Sequence, residues 1–170
     1  MPDYRRNRVL GGTYFFTVNL HDPRRRLLVE RIEALRAAMR EVRARHPFVI
    51  DAWVVLPNHL HFIWTLPDGD RAYPMRWPRI KTRFTVRIAA TGTDRIWHRG
   101  YWEHTIRDET DYANHVAYIF HNPVKHGYVA RVRDWPYSSF HRAVAAGVVP
   151  PDWGGDPRAL AFSGGSALAG

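Results

Sequence analysis

The sequence predicts an α+β fold: a four-stranded antiparallel sheet with helices on one face. Three observations predict it. Segments rich in β-branched and aromatic residues alternate with segments whose apolar residues recur at helical spacing. Two of the strand-like segments are separated only by Pro57-Asn58, which makes a hairpin. The order is strand, helix, strand, strand, helix, strand, then one more helix, which carries Tyr118. That order fits a split βαβ, or ferredoxin-like, plan with an extra C-terminal helix, and it leaves the second sheet face available.

Each element has its own signal. Thr13 to Leu20 (TYFFTVNL) follows Gly11-Gly12 and reads as a strand. Asp22-Pro23 turns the chain, and Leu28, Ile32, Leu35, Met39 and Val42 then mark a helix that His46-Pro47 ends. Phe48 to Leu56 and His59 to Leu66 are the hairpin strands, and Pro67-Asp68-Gly69-Asp70 breaks the pattern. Pro78 to Ala90 is a second helix with Ile80, Phe84 and Ile88 as its buried stripe. Tyr101 to Arg107 is a short fourth strand. Asp108 or Thr110 can cap a third helix running from Asp111, and Pro123 is expected to kink or restart it. From Gly154 the chain is rich in Gly, Ala and Ser and is expected to be mobile, so a single domain spans residues 1–153.

Composition excludes several classes. At 170 residues and 45% hydrophobic, the chain can bury a core and is not a disordered one. With no cysteine, disulfides, thiolate metal sites and cysteine nucleophiles are excluded. The N-terminal stretch MPDYRRNRVLGG lacks the apolar core of a signal peptide, and no segment has the length of a membrane span. A cytoplasmic protein with no membrane partner is the expectation. Lys and Arg outnumber Asp and Glu by 25 to 16, giving a net charge of +9 and a pI near 10.4, which favours a polyanionic partner. Aromatic residues reach 14%, and bases stack on exposed rings, so nucleic acid is the favoured polyanion.

The chemistry-bearing motif is His59-Leu60-His61. On a strand, both imidazoles share one face while Leu60 points to a core, and such a pair can hold a metal. On the third helix, Tyr118 and Asn122 share a face and Lys125 lies one turn further. An amide oxygen beside two imidazoles suits Mg²⁺ or Mn²⁺. Taken singly, these signals have plainer readings: His-x-His as surface or packing, a helical Tyr as core, Asn-Pro as a turn. Spacing selects none of His104, His115, His121 and His126 as ligands. Arg79, Arg83 and Arg87 form a basic stripe on the second helix, with Lys81 and Arg76 nearby, and suit phosphate contact as well as a solvated face does.

The ordered set of motifs resembles the REP-associated tyrosine transposases, a group within the single-tyrosine HUH endonucleases. The resemblance runs from Gly11 to about Trp153. It rests on GGTYFFTVNL at Gly11, VVLPNHLHFIWTLP at Val54, IWHRGYWEHTIRDE at Ile96, YIFHNPVKHGYV at Tyr118 and DWPYSSF at Asp134. It implies that His59, His61 and Asn122 bind the metal and that Tyr118 is the nucleophile. It also implies a substrate: single-stranded DNA cut and rejoined beside a REP-like palindromic hairpin, with the basic arm Arg5, Arg6 and Arg8 taking part. Arg79, Lys81, Arg83 and Arg87 are the further DNA-binding candidates. Asn58 stands where the family commonly has Asp, and His98 where it commonly has Gln. The resemblance favours a monomer over a homodimer, and the segment Trp135 to Val149 could cover the surface a second copy would use.

The residue types suit that chemistry. A divalent cation offsets phosphate charge during attack. A tyrosine oxygen attacking in line leaves a 5′-phosphotyrosine and a free 3′-hydroxyl, which can reverse the step. A free phenol titrates roughly three units above neutrality, so a group must help take its proton. Lys125 or a metal-bound water are both candidates. Two other functions are carried forward: a hairpin DNA- or RNA-binding module without catalysis, and a metal-dependent hydrolase of a small substrate.

Overall fold

The computed structural model describes residues 6–90 and 94–162. Its strands are β1 (Thr13–Asn19), β2 (Val49–Val55), β3 (His59–Thr65) and β4 (Trp102–Thr105). They form one antiparallel sheet in the order β2-β3-β1-β4. The helices are α1 (Leu27–Glu30), α2 (Ile32–Arg45), α3 (Arg76–Arg87), α4 (Glu109–Lys125) and α5 (Phe140–Ala145). The expected mixed architecture and antiparallel sheet are therefore present.

Alternation along the strands builds two separate cores. Tyr14, Phe16 and Val18 of β1 join Leu60, Phe62 and Trp64 of β3 on one face. There they meet Leu35, Met39 and Val42 of α2 and Trp77, Ile80 and Phe84 of α3. Trp64 and Trp77 stack with centroids 4.4 Å apart at the centre of this layer. On the other face, Phe15, Ala52, Val54 and Ile63 pack against Val116, Ile119 and Phe120 of α4 and Phe140 of α5.

The second core corrects the expectation of helices on one face only. α4 and α5 cover much of the face that was expected to stay open, because β1, β2 and β3 present apolar residues on both sides and each side must be buried. The long first helix is also divided: Arg31 leaves helical geometry, and Leu28 donates its N–H to the carbonyl of Pro57. That bond fastens α1 to the hairpin turn. α4 runs on through Pro123 and does not restart there. The proline sits in the last turn, where the helix is about to end: Gly127 at φ 74 closes it, and Tyr128 N–H returns to the Pro123 carbonyl.

Two connections lock the edges. Leu56 N–H donates to the His59 carbonyl, so the β2–β3 hairpin is tight. The outer edge of β2 is occupied by the segment before α5: Val55 N–H donates to Tyr137 O, and Ser139 N–H to Trp53 O. The stretch beginning at Gly154 was expected to be mobile. As far as Phe162 it lies against the second core, with Leu160 buried there and Phe162 against Tyr112, apolar anchors among its small residues. Residues 163–170 lie outside the described residues.

Candidate active site

His59 and His61 lie on the α4 face of β3, opposite Asn19 and Thr17 of β1. Their rings stand 5.1 Å apart, centroid to centroid. Each is oriented through Nδ1. Asn58 donates its amide nitrogen to Pro23 O at 2.5 Å, so its oxygen is what faces His59 Nδ1, at 2.6 Å. His59 Nδ1 must then donate, which leaves the lone pair on Nε2. His61 Nδ1 is paired with Thr17 Oγ1 at 2.9 Å, so Nε2 is again the free nitrogen.

His61 Nε2 is buried and has no hydrogen-bond partner. Asn122, on α4, is 0% exposed, and neither atom of its carboxamide is paired. An unpaired buried polar group costs about 1–3 kcal/mol, so several at one place mark a site built for a ligand. Asn122 lies close enough to His59 to favour its charged form, though the two do not meet hydrogen-bond geometry. Two imidazole nitrogens and an amide oxygen are a donor set that fits a divalent cation.

The electrostatics keep both imidazoles neutral, as metal ligands must be. Burial lowers His59 to about 4, with the neighbouring His126 and Lys125 adding to the effect. Burial lowers His61 to about 3, helped by His59, His126 and Lys125. His126, just past the end of α4, is itself lowered by burial, and its ring stands 5.0 Å from that of His59.

Tyr118 lies on α4 one turn before Asn122. Its ring meets His61 edge-on at 5.2 Å and Phe15 at 5.9 Å, yet the side chain is 39% exposed. Lys125 Nζ stands 4.8 Å from the centre of the same ring. The helix therefore brings together every predicted member of the set: His59, His61, Asn122, Tyr118 and Lys125. Burial raises Tyr14, Tyr73, Tyr101 and Tyr112, Tyr101 to about 12.

A second group among the described residues could hold a metal ion: His104, Asp111 and His115. Its donors already bond to one another. His104 Nε2 reaches Asp111 Oδ2 at 2.9 Å, and His115 Nδ1 reaches the Asp111 carbonyl at 2.8 Å. Arg107 N–H also donates to the Asp111 carboxylate. The group ties the start of α4 to β4.

The basic candidates are scattered. Arg5 lies outside the described residues. Arg6 sits over the Tyr101 ring at 3.9 Å, with Glu103 3.9 Å away, and Arg8 is exposed. Arg83 and Arg87 both pair with Glu41 of α2, an acid that α3 alone does not show. Lys81 donates to the carbonyls of His98 and Gly100, and burial lowers it to about 8. Arg79 is exposed, with no ion pair among the described residues. All four α3 residues belong to the helix layer across the sheet from Tyr118.

No protein-family model matches the chain. A curated relative, the REP-associated tyrosine transposase of Escherichia coli (strain K12), is 53% identical over 156 residues, covering 92% of this chain and 93% of the relative. The chain belongs to the REP-associated tyrosine transposases. A second relative, from Haemophilus influenzae (strain ATCC 51907 / DSM 11121 / KW20 / Rd) and provisionally named for the same family, is 44% identical over 168 residues and covers 92% and 96% of the two chains. The solved structure of a REP-associated tyrosine transposase bound to a REP hairpin superposes with a TM-score of 0.87 at 50% identity, covering 97% of each chain. Among the described residues, no helix is long and apolar enough to cross a membrane.

Sequence reasoning missed the residues that orient the histidines. Thr17 is 44 positions from His61, and only strand register joins them. Asn58 was visible beside His59, but its tie to Pro23 was not. Membership among REP-associated tyrosine transposases does not by itself assign a role to either.

Proposed function

We propose that this chain is a metal-dependent nuclease and strand transferase that cuts and rejoins single-stranded DNA beside a REP-like hairpin. The observation that supports it best is the exposed Tyr118 ring 5.2 Å from His61, next to the unpaired buried atoms of His61 and Asn122. His59, His61 and Asn122 would hold Mg²⁺ or Mn²⁺, which would supply the positive charge that polarises a scissile phosphate.

The chain's own residues do the rest. Thr17 and Asn58 hold the imidazoles through Nδ1, so that each Nε2 would be free to bind the ion. Phe15 and His61 flank the Tyr118 ring and limit its directions. The phenol oxygen forms a bond to phosphorus as the bond to the 3′ oxygen breaks, and its proton leaves to solvent or base. The strand is then joined to Tyr118 through its 5′ phosphate, and the departing strand ends in a 3′-hydroxyl. Reversal by that hydroxyl, or by another, rejoins DNA without an outside energy source. Lys125, with Nζ 4.8 Å from the centre of the Tyr118 ring, would be a candidate to help take the phenol proton.

The REP hairpin bound by the family relative makes a hairpin with single-stranded flanks the substrate to test. With Mg²⁺ or Mn²⁺, the wild-type chain should form a covalent adduct that resists denaturant. Tyr118→Phe should form none while still binding the hairpin. An adduct that persists in Tyr118→Phe would remove Tyr118 from the role.

A further inference from the structure

The large exposed hydrophobic residues include two aromatics, Tyr118 at 39% and Trp102 at 52%. Both line one open groove, together with Phe15, Thr17, Asn114 and His115. The proposed chemistry uses Tyr118 and leaves Trp102 unexplained. A tryptophan half in solvent on a sheet face is an unusual use of the largest apolar side chain.

Its position is fixed by register. Trp102 of β4 pairs with Thr17 of β1, and Thr17 pairs with His61 of β3. The three side chains form a row across the sheet, about 10 Å from end to end at the usual strand spacing. The row begins at the candidate metal centre and ends on the outer strand. The indole is braced by Phe15, edge-on at 5.8 Å, and lies parallel to His104 at 6.1 Å. Among the described residues its N–H has no hydrogen-bond partner. On α4, exposed Asn114 stands one turn before Tyr118 on the same helix face. Lys125 stands beyond Tyr118, and the exposed Arg107 lies near the β4 end.

A flat ring, a free carboxamide and cations toward either end suit one occupant: an unpaired nucleotide whose base stacks while its phosphates run toward Tyr118. The geometry points to Trp102 as the stacking platform for a base of the single-stranded flank, within a few nucleotides of the scissile phosphate, with Asn114 reaching the base edge. This assignment rests on the function proposed above. It deepens that function by naming where the cut strand is held.

The test uses the full chain with Tyr118→Phe, so that the strand stays uncut. The probe is a DNA hairpin with a single-stranded flank carrying 2-aminopurine at successive positions, compared with the same hairpin lacking the flank. Binding should quench 2-aminopurine at one or two flank positions. Trp102→Ala should abolish that quenching and weaken binding of the flanked hairpin about tenfold, leaving the bare hairpin unaffected. Trp102→Phe should restore most of both. Quenching that is unchanged in Trp102→Ala would overturn the assignment. So would equal weakening of flanked and bare hairpins in both Trp102 variants, which would mark a structural role. The readout does not require cutting: if wild type forms no adduct, the catalytic reading fails while the stacking result still stands.

Discussion

Asn58 keeps its amide nitrogen on Pro23 and its oxygen on His59, so replacing it frees an imidazole without removing a ligand. Asn58→Ala is expected to weaken Mn²⁺ binding about 10- to 100-fold, the usual effect of losing such a partner, with the fold intact. Calorimetric titration of Mn²⁺ checks it; an unchanged affinity would show that His59 needs no outside brace. The two histidines also give a pH dependence. Their folded values, about 4 and about 3, lie below the ordinary histidine value, so the unfolded chain takes up protons first as pH falls. In protein stripped of divalent ions, stability should therefore be full above about pH 6.5 and fall as pH drops toward 4. Melting temperatures measured across that range test the sign. His61→Gln should flatten the slope. The His-x-His pair was legible because strand period alone puts both rings on one face. Thr17 was not legible, since its partner is chosen by register between β1 and β3. Lys81 was read as a DNA-binding candidate near a basic stripe; its bonds to the carbonyls of His98 and Gly100 come from a distant loop and were not legible.

α4 is the element on which the candidate site depends, and its start is better secured than its sequence suggests. The Asp108 side chain accepts from Asp111 N–H at 2.7 Å, capping the helix. The Asp111 carboxylate then bonds His104 of β4 and the backbone of Arg107. Asp111→Ala should cost about 2 kcal/mol, because it removes bonds to a largely buried carboxylate. Chemical denaturation measures the loss. Adduct formation should slow more than hairpin binding weakens, since Tyr118 sits two turns further along the helix. Equal loss of both would argue that the clasp serves only the fold. The helix itself was readable from its cap and its spacing. Its docking was not, because the apolar side of α4 says nothing about which sheet face receives it. That gap explains why the second face was expected to stay open. The nearness of Pro123 to the end of α4 was likewise hidden.

Across the whole molecule, the basic residues of α3 and Tyr118 lie on opposite faces of the sheet. The exposed Arg79 belongs to the layer opposite Tyr118, and Arg83 and Arg87 share Glu41. If hairpin DNA reaches α3, Arg79→Ala should reduce the slope of log affinity against log salt by about one, as for one lost phosphate contact. Arg83→Ala should change it less, since its charge is already partly offset. Binding titrations at several salt concentrations compare the two. An unchanged slope for Arg79→Ala would place the DNA elsewhere. The strand order was legible in outline, and the basic excess favoured a polyanion, but neither says which surface would meet it. The strap formed by Tyr137 and Ser139 along β2 has a separate consequence. A chain shortened after Asp134 would keep every candidate site residue and lose the strap. It would expose a strand edge bearing unpaired backbone groups to other copies of itself. Such a shortened form should collect in insoluble material during expression, the strap at Tyr137 and Ser139 being what shields that edge from self-association.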